Sequence, residues 1–198
     1  KRLAVILGAY TVYLDLWVVD RHGTVLANGR PDRYRRVVGS SVAGESWFRD
    51  AMATRNGGEF AVSDIAGNDL LDRSTVATYA AAIRAGGEEN GAIVGVLGIF
   101  FDWQTQSQGV VDSVRLTEDE RSTTRCLLVD RRHRVIAASD KRGVLVESFP
   151  VRTNGYAHGC YTDDKGCVVG FALTPGYETY RGLGWYGVIV QEAVGPAR

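Results

Sequence analysis

Two stretches of the chain carry the same alternation of apolar and polar positions. Leu16-Trp17-Val18-Val19 breaks off at Asp20-Arg21-His22-Gly23 and resumes as Thr24-Val25-Leu26-Ala27-Asn28. At an offset of 110 residues, Cys126-Leu127-Leu128-Val129 breaks off at Asp130-Arg131-Arg132-His133 and resumes as Arg134-Val135-Ile136-Ala137-Ala138. Each copy reads as strand, polar turn and strand. Asp and Arg open the turn, and Gly23 supplies a permissive backbone in the first copy. The repeat predicts two modules of one kind.

The copies diverge afterwards. In the first, Ser46 to Ala53 predicts a short amphipathic helix with Trp47, Phe48, Ala51 and Met52 on one side, ended by Gly57-Gly58. Glu59 to Ile65 is a strand candidate, and Asp64 lies near its end. Val76 to Ile83 is ambiguous, its alanines favouring helix and its place in the chain favouring strand. Gly91 to Trp103 reads as a long strand covered on both faces. The second copy passes from Phe149-Pro150-Val151 to a hairpin over Tyr156 to Phe171, with no room for an equivalent helix, and closes on the strand Gly184 to Val190. Between the modules, Thr117 with Glu120 predicts a capping box on a short helix. The expected class is α+β: two tandem modules, each an antiparallel sheet, over 14–112 and 113–198, with the end of an N-terminal helix at 1–13.

Composition narrows the function. Of 198 residues, 45% are hydrophobic, and 23 basic side chains balance 23 acidic ones. A zero net charge argues against nucleic acid as partner. The longest uncharged apolar run, Gly91 to Phe101, is too short to cross a bilayer, which takes ~20 residues. The chain opens Lys1-Arg2-Leu3-Ala4-Val5 without an initiator Met, as the tail of a helix would.

Tandem modules of this kind after a helix resemble the double Cache sensor domains of bacterial chemoreceptors, sensor kinases and diguanylate cyclases, and the resemblance implies that each module is PAS-like. The residues carrying the resemblance are the paired cassettes, Ser46-Trp47-Phe48-Arg49-Asp50-Ala51, Gly95-Val96-Leu97-Gly98-Ile99, and Gly182-Leu183-Gly184-Trp185-Tyr186-Gly187-Val188. The resemblance implies a periplasmic domain of an inner-membrane protein. Its ligand would bind in the membrane-distal first module, the signal would cross the membrane, and two copies would pair through the N-terminal helix. The amino-acid-binding branch has Arg two residues before a Trp-Tyr pair. Here Glu45 and Phe48 stand instead, and Phe100 replaces that branch's Asp, an acid following only at Asp102. Without that Arg, no residue is evident to clamp an α-carboxylate.

The expected site is in the first module: Trp47, Phe48, Asp64, Tyr79, Phe100 and Asp102. Two carboxylates among aromatic rings suit an amine, a quaternary ammonium or a purine-like heterocycle. Core packing is the competing use of such rings. No catalytic residues, metal or cofactor are expected. His22, His133 and His158 sit in turns or a hairpin, without a nucleophile at catalytic spacing. Gly182 to Gly187 has the letters of a dinucleotide fingerprint, but a strand rather than a helix follows it. Asp163-Asp164 is an acidic turn that calcium or plain solvent would suit, and Arg30, Arg33, Arg35 and Arg36 form a basic run on a loop. Cys160 and Cys167 flank that acidic turn, and a two-residue loop there would let them face each other as a disulfide. The rival readings are a cytosolic PAS or GAF-type cofactor module and a hydrolase.

Overall fold

The computed structural model describes residues 2–175 and 182–192. The chain divides into two compact units, Lys1–Gln104 and Thr105–Arg198, each with its own sheet and apolar core.

In the first unit, helix α1 (Arg2–Ala9) leads into strands β1 (Tyr13–Asp20) and β2 (Val25–Asn28). Helix α2 (Ser46–Met52) follows, then β3 (Ala61–Asn68), β4 (Ser74–Arg84) and β5 (Ile93–Asp102). Helix α1 stops at Ala9 rather than running to residue 13, since Tyr13 already pairs with Phe101 of β5. The ambiguous Val76 to Ile83 is strand. Its backbone is paired on both sides, by β3 and β5, and that pairing overrides the preference of alanine for helix.

Helix α3 (Trp103–Asp112) spans the division. Helix α4 (Glu118–Thr123) precedes β6 (Thr124–Val129), β7 (Val135–Ala138), β8 (His158–Thr162), β9 (Val168–Leu173) and β10 (Tyr186–Gln191). The predicted capping box on α4 is present: Glu120 N–H donates to Thr117 Oγ1, and Glu120 Oε2 accepts from Thr117 N–H at 2.8 Å.

Both sheets are antiparallel, with orders β2-β1-β5-β4-β3 and β7-β6-β10-β9-β8. Adding five to each strand number converts the first order into the second. The fold is therefore α+β, with two PAS-like modules.

The repeated cassette has one construction in both copies. Asp20 Oδ1 accepts the N–H groups of His22 (2.8 Å) and Thr24 (2.9 Å), and Asp130 Oδ1 accepts those of Arg132 (2.8 Å) and Arg134 (2.9 Å). Such a side chain mimics a backbone turn. The fourth turn residue is left-handed in both, Gly23 at φ 88° and His133 at φ 63°. A Cβ on Gly23 would lie 2.7 Å from Ala43, so packing as well as backbone requires glycine there. The equivalence extends beyond the aligned residues. Ser41 bridges Thr24 and Val42 N–H donates to Gly23 O, while Ser148 bridges Arg134 and Phe149 N–H donates to His133 O. Ser41 and Val42 therefore correspond to Ser148 and Phe149.

The structure corrects the cysteine expectation. Cys160 lies opposite Gly170, not Cys167, because five residues separate β8 from β9. Asp163 organises that turn, its Oδ1 accepting from Lys165 and Cys167 N–H, and all three cysteines are free thiols. His133 is also less solvated than a turn histidine suggests, since its Nδ1 accepts from Val151 N–H at 3.2 Å.

Candidate functional site

Helix α2 is seven residues long and buries Trp47, Phe48 and Ala51. Its Trp47 ring lies against the backbone of β5. A Cβ on Gly98 would meet that ring at 3.2 Å, so the absent side chain makes room for the indole. Trp47 meets Phe100 edge-on at 5.7 Å between centroids, and Trp17 lies 4.2 Å from Phe100. Phe48 completes the cluster at 6.2 Å from Trp47. All four rings are at least nine-tenths buried.

Above these rings a cavity of about 170 Å³ remains, lined by Trp17, Ser41, Val42, Glu45, Trp47 and Gly67 to Leu70. At ~30 Å³ per water it has room for five or six waters, well below the ~300–1,000 Å³ of pockets for drug-sized ligands. Glu45, the residue before α2, is itself extended, yet its carboxylate caps no N–H of that helix. That carboxylate is solvent-exposed and belongs to the cavity wall. Asn68 Oδ1 accepts from Leu70 N–H at 3.0 Å and fixes the opposite wall. The Asp69 carboxylate, 90% exposed, points to Arg73 at 3.6 Å. Among the described residues no Lys or Arg lines the cavity, although Arg36 donates to the backbone oxygen of Asp69 at 3.2 Å.

The expected site residues distribute unequally. Trp47 lines the cavity, while Phe48 and Phe100 lie in the core behind it. Tyr79 is across the sheet. It pairs with Ile99, one residue out of phase with Phe100, and contacts Phe60 (6.4 Å) and Phe101 (5.1 Å). Asp64 is half-buried at the bulge between Ser63 and Ala66, where its Oδ1 accepts from Ile65 N–H. Asp102 ends β5 opposite Val76 and is half-buried; its N–H donates to Val12 O at 3.0 Å. Neither acid is part of the cavity lining. Sequence reasoning missed Trp17, Ser41 and Asn68. Trp17 sits in the aligned cassette two residues from a buried acid, Asp15, and that pattern was a usable signal.

The second unit has no helix between β7 and β8. One face of its sheet borders an apolar cleft that includes Cys126, whose thiol burial pushes up and away from reactivity. A second, polar cavity lies around Arg125. Among the described residues no group of three or more His, Cys, Asp or Glu is placed to hold a metal, and no helix is long and apolar enough to cross a membrane.

No sequence-family model and no curated protein sequence matches the chain. Solved structures do match. An extracellular ligand-binding receptor from Desulfohalobium retbaense is similar over 96% of this chain and 32% of that one, at TM-score 0.69 and 11% identity. This chain thus spans about a third of that protein. The sensor domain of the Vibrio cholerae histidine kinase DctB is similar over 98% of this chain and 77% of that one, at TM-score 0.64 and 13% identity. The ligand-binding domain of the Pseudomonas fluorescens chemoreceptor CtaA, in complex with L-leucine, is similar over 94% and 74%, at TM-score 0.64 and 17% identity. At such identities these likenesses establish the fold, which is the one these sensor and ligand-binding domains share.

Proposed function

We propose that this chain is the extracytoplasmic ligand-binding part of a membrane-anchored receptor, and that its first module detects a small amine. The observation carrying this reading is the 170 Å³ cavity walled by two indoles, with Glu45 and Asp69 as its acidic residues and, among the described residues, no Lys or Arg in its lining. An ammonium group fits that wall: it donates a charge-assisted hydrogen bond to Glu45 and is attracted to an indole face. The shared fold of receptor sensor domains supports the sensor assignment. Trp47 and Glu45 both belong to the α2 segment, so a ligand between that segment and the 67–70 turn favours the state in which the two are drawn together. It biases the equilibrium by its difference in affinity for the two states. The signal is then passed to the membrane.

A thermal-shift screen with methylamine, ethanolamine, choline and putrescine, against acetate and neutral amino acids, tests this. At ~100-fold excess over the dissociation constant, binding contributes ~2.7 kcal/mol, a readily measured rise in melting temperature. The expected result is a shift from an amine, lost in Glu45→Gln and reduced in Trp47→Phe. A panel in which only carboxylates shift the wild type, or an amine shift unchanged by Glu45→Gln, overturns the reading.

A further inference from the structure

Each sheet ends in two edge strands, and three of the four edges are blunted. Beside β2, Val25 N–H donates to Ser40 O and Gly39 N–H to Val25 O, so the returning segment occupies that edge. Beside β7, Val135 N–H donates to Glu147 O and Leu145 N–H to Val135 O in the same way. The pairing of β3 is broken by the bulge between Ser63 and Ala66. Such devices keep a sheet from pairing with another chain. Strand β8 has none of them. Its register with β9 is unbroken from His158 to Thr162, it contains neither Pro nor Lys, and every residue in it except Tyr161 is exposed.

The phase of the ladder fixes which groups this edge presents. At one end Leu173 N–H donates to Ala157 O, and at the other Asp163 N–H donates to Cys167 O. Hydrogen-bonded and non-hydrogen-bonded pairs alternate along an antiparallel ladder. The backbones of Ala157, Gly159, Tyr161 and Asp163 therefore bond to the β9 side, and those of His158, Cys160 and Thr162 direct their N–H and C=O groups outward. Among the described residues nothing bonds to these outward groups. The middle one, Cys160, is an exposed free thiol.

We infer that β8 pairs antiparallel with β8 of a second copy of this chain, about a two-fold axis at Cys160. This register uses all three outward residues of both strands: Cys160 lies opposite its counterpart and His158 opposite Thr162, and each such pair exchanges two hydrogen bonds. The acidic turn of one copy, Asp163 and Asp164, falls opposite Ala157 and Tyr156 of the other, so no like charges meet. The same surface serves both copies, and the contact closes as a dimer rather than growing into a fibre. Hydrogen-bonded partners lie ~5.5 Å apart at Cα, inside the ~4.4–6.8 Å that a disulfide spans, so the two Cys160 thiols come within bridging reach. The surface involves neither α1 nor the amine site proposed for the first module.

Five residues a side is far below the ~20–30 of a standard interface, so the association is weak, and an amide NMR dilution series of the reduced full chain should run from about 0.05 to about 1 mM. The expected result is concentration-dependent shifts at His158, Cys160 and Thr162, larger than at any residue of α1 or the first sheet. Diamide then oxidises two Cys160 thiols to one disulfide, its azo bond taking up the two electrons and two protons. A covalent dimer is expected from wild type, Cys126→Ser and Cys167→Ser, and none from Cys160→Ser. His158→Lys with Thr162→Lys sets lysine opposite lysine in this register while leaving Cys160 in place, and reduces both the shifts and the cross-linking rate about tenfold or more. Thr162→Pro does the same without a change of charge, because it removes an outward N–H on an edge where proline is tolerated. Absence of shifts on dilution overturns the inference, and so do shifts confined to α1. Cross-linking as fast in the two edge variants as in wild type also overturns it, because it then reports only the collision of exposed thiols.

Discussion

Where the first sheet buries Asp15, the second sheet, at the same place in the repeat, carries Arg125. The task of both is to hold the segment that leaves the cassette. Asp15, fully buried, accepts from Gly29 and Arg30 N–H, from Asn28 Nδ2, from Trp17 Nε1 and from Leu16 N–H. A Cβ on Gly29 would come 3.0 Å from Asp15 Oδ1 and closer still to Leu7, so the carboxylate approaches that backbone only because residue 29 is glycine. Arg125 holds its segment through Arg142 O at 2.8 Å and through Asp140 and Glu147. Asp15 works in a dry site, whereas Arg125 and its partners are a quarter to a third exposed. Duplication preserved the sheet and the turn. What changed is the sign of the docking charge and how dry its surroundings are, and with them the kind of cavity each module offers.

The largest expected effect breaks that pair. Asp15→Ala strands five donors in the first core, at a cost of about 3–5 kcal/mol. Arg125→Met leaves two carboxylates that water already reaches, and about 1–2 kcal/mol is expected. Urea unfolding followed by NMR, with resonances from each unit, measures both. If Asp15→Ala lowers the midpoint of the second unit as much as that of the first, the two modules unfold as one body and their stabilities are not separate quantities.

A smaller effect sharpens the comparison between the two turn aspartates. Burial pushes the Asp130 carboxyl up, but the Arg134 N–H and guanidinium and the Arg132 N–H outweigh it, leaving it below the usual carboxylate value. The Asp20 carboxyl is also lowered, chiefly by the Thr24 N–H. A folded-state value below the unfolded one adds stability at neutral pH, and that stability is lost as pH falls through the folded value. The advantage of wild type over Asp130→Asn is therefore about 1–2 kcal/mol at neutral pH and shrinks between about pH 5 and pH 2. Asp20→Asn should shift in the same sense but by less, since the Arg134 guanidinium donates to the side chain of Asp130, whereas the donors to the Asp20 side chain are the backbone N–H groups of His22 and Thr24. Chemical denaturation across that range, at fixed ionic strength, reads the difference. A gap that widens on acidification contradicts the assignment.

The sequence displayed these turns plainly because their chemistry is local: an aspartate bonds to backbone two and four residues on, and in the first copy glycine follows. The sheet class and α2 were legible for a related reason, since strand alternation and the Trp47-Phe48-Ala51 spacing are short-range signals. The site was legible only in part. Alternation within β5 does put Phe100 and Asp102 in phase, but it says nothing of register, and register alone sets Tyr79 opposite Ile99 and so across the sheet. The cavity walls come from a returning segment, tied to the cassette where Thr24 bridges Ser41, and from a hairpin turn more than twenty residues further on, and no periodicity records that closure. Asp15 and Arg125 were also passed over, although a charged residue at the head of an apolar strand run was visible in both copies.

The smallest expected effect concerns the left-handed turn position, where the copies use different residues for one backbone. Gly23→Ala meets both a positive φ and an Ala43 contact of 2.7 Å, so it costs more than the ~1 kcal/mol of the backbone alone. His133→Gly runs the other way. It relieves a non-glycine residue at φ 63°, a gain of about 1 kcal/mol, and gives up the bond from Val151 N–H to Nδ1, a loss of about the same size. The two nearly cancel, so its midpoint in urea should stay within experimental reach of wild type. His133→Asn separates the contributions, because asparagine tolerates the left-handed backbone but is too short to reproduce the imidazole's reach to Val151. If the Asn variant is clearly the less stable of the two, the bond to Val151 is what fixes the segment after Phe149.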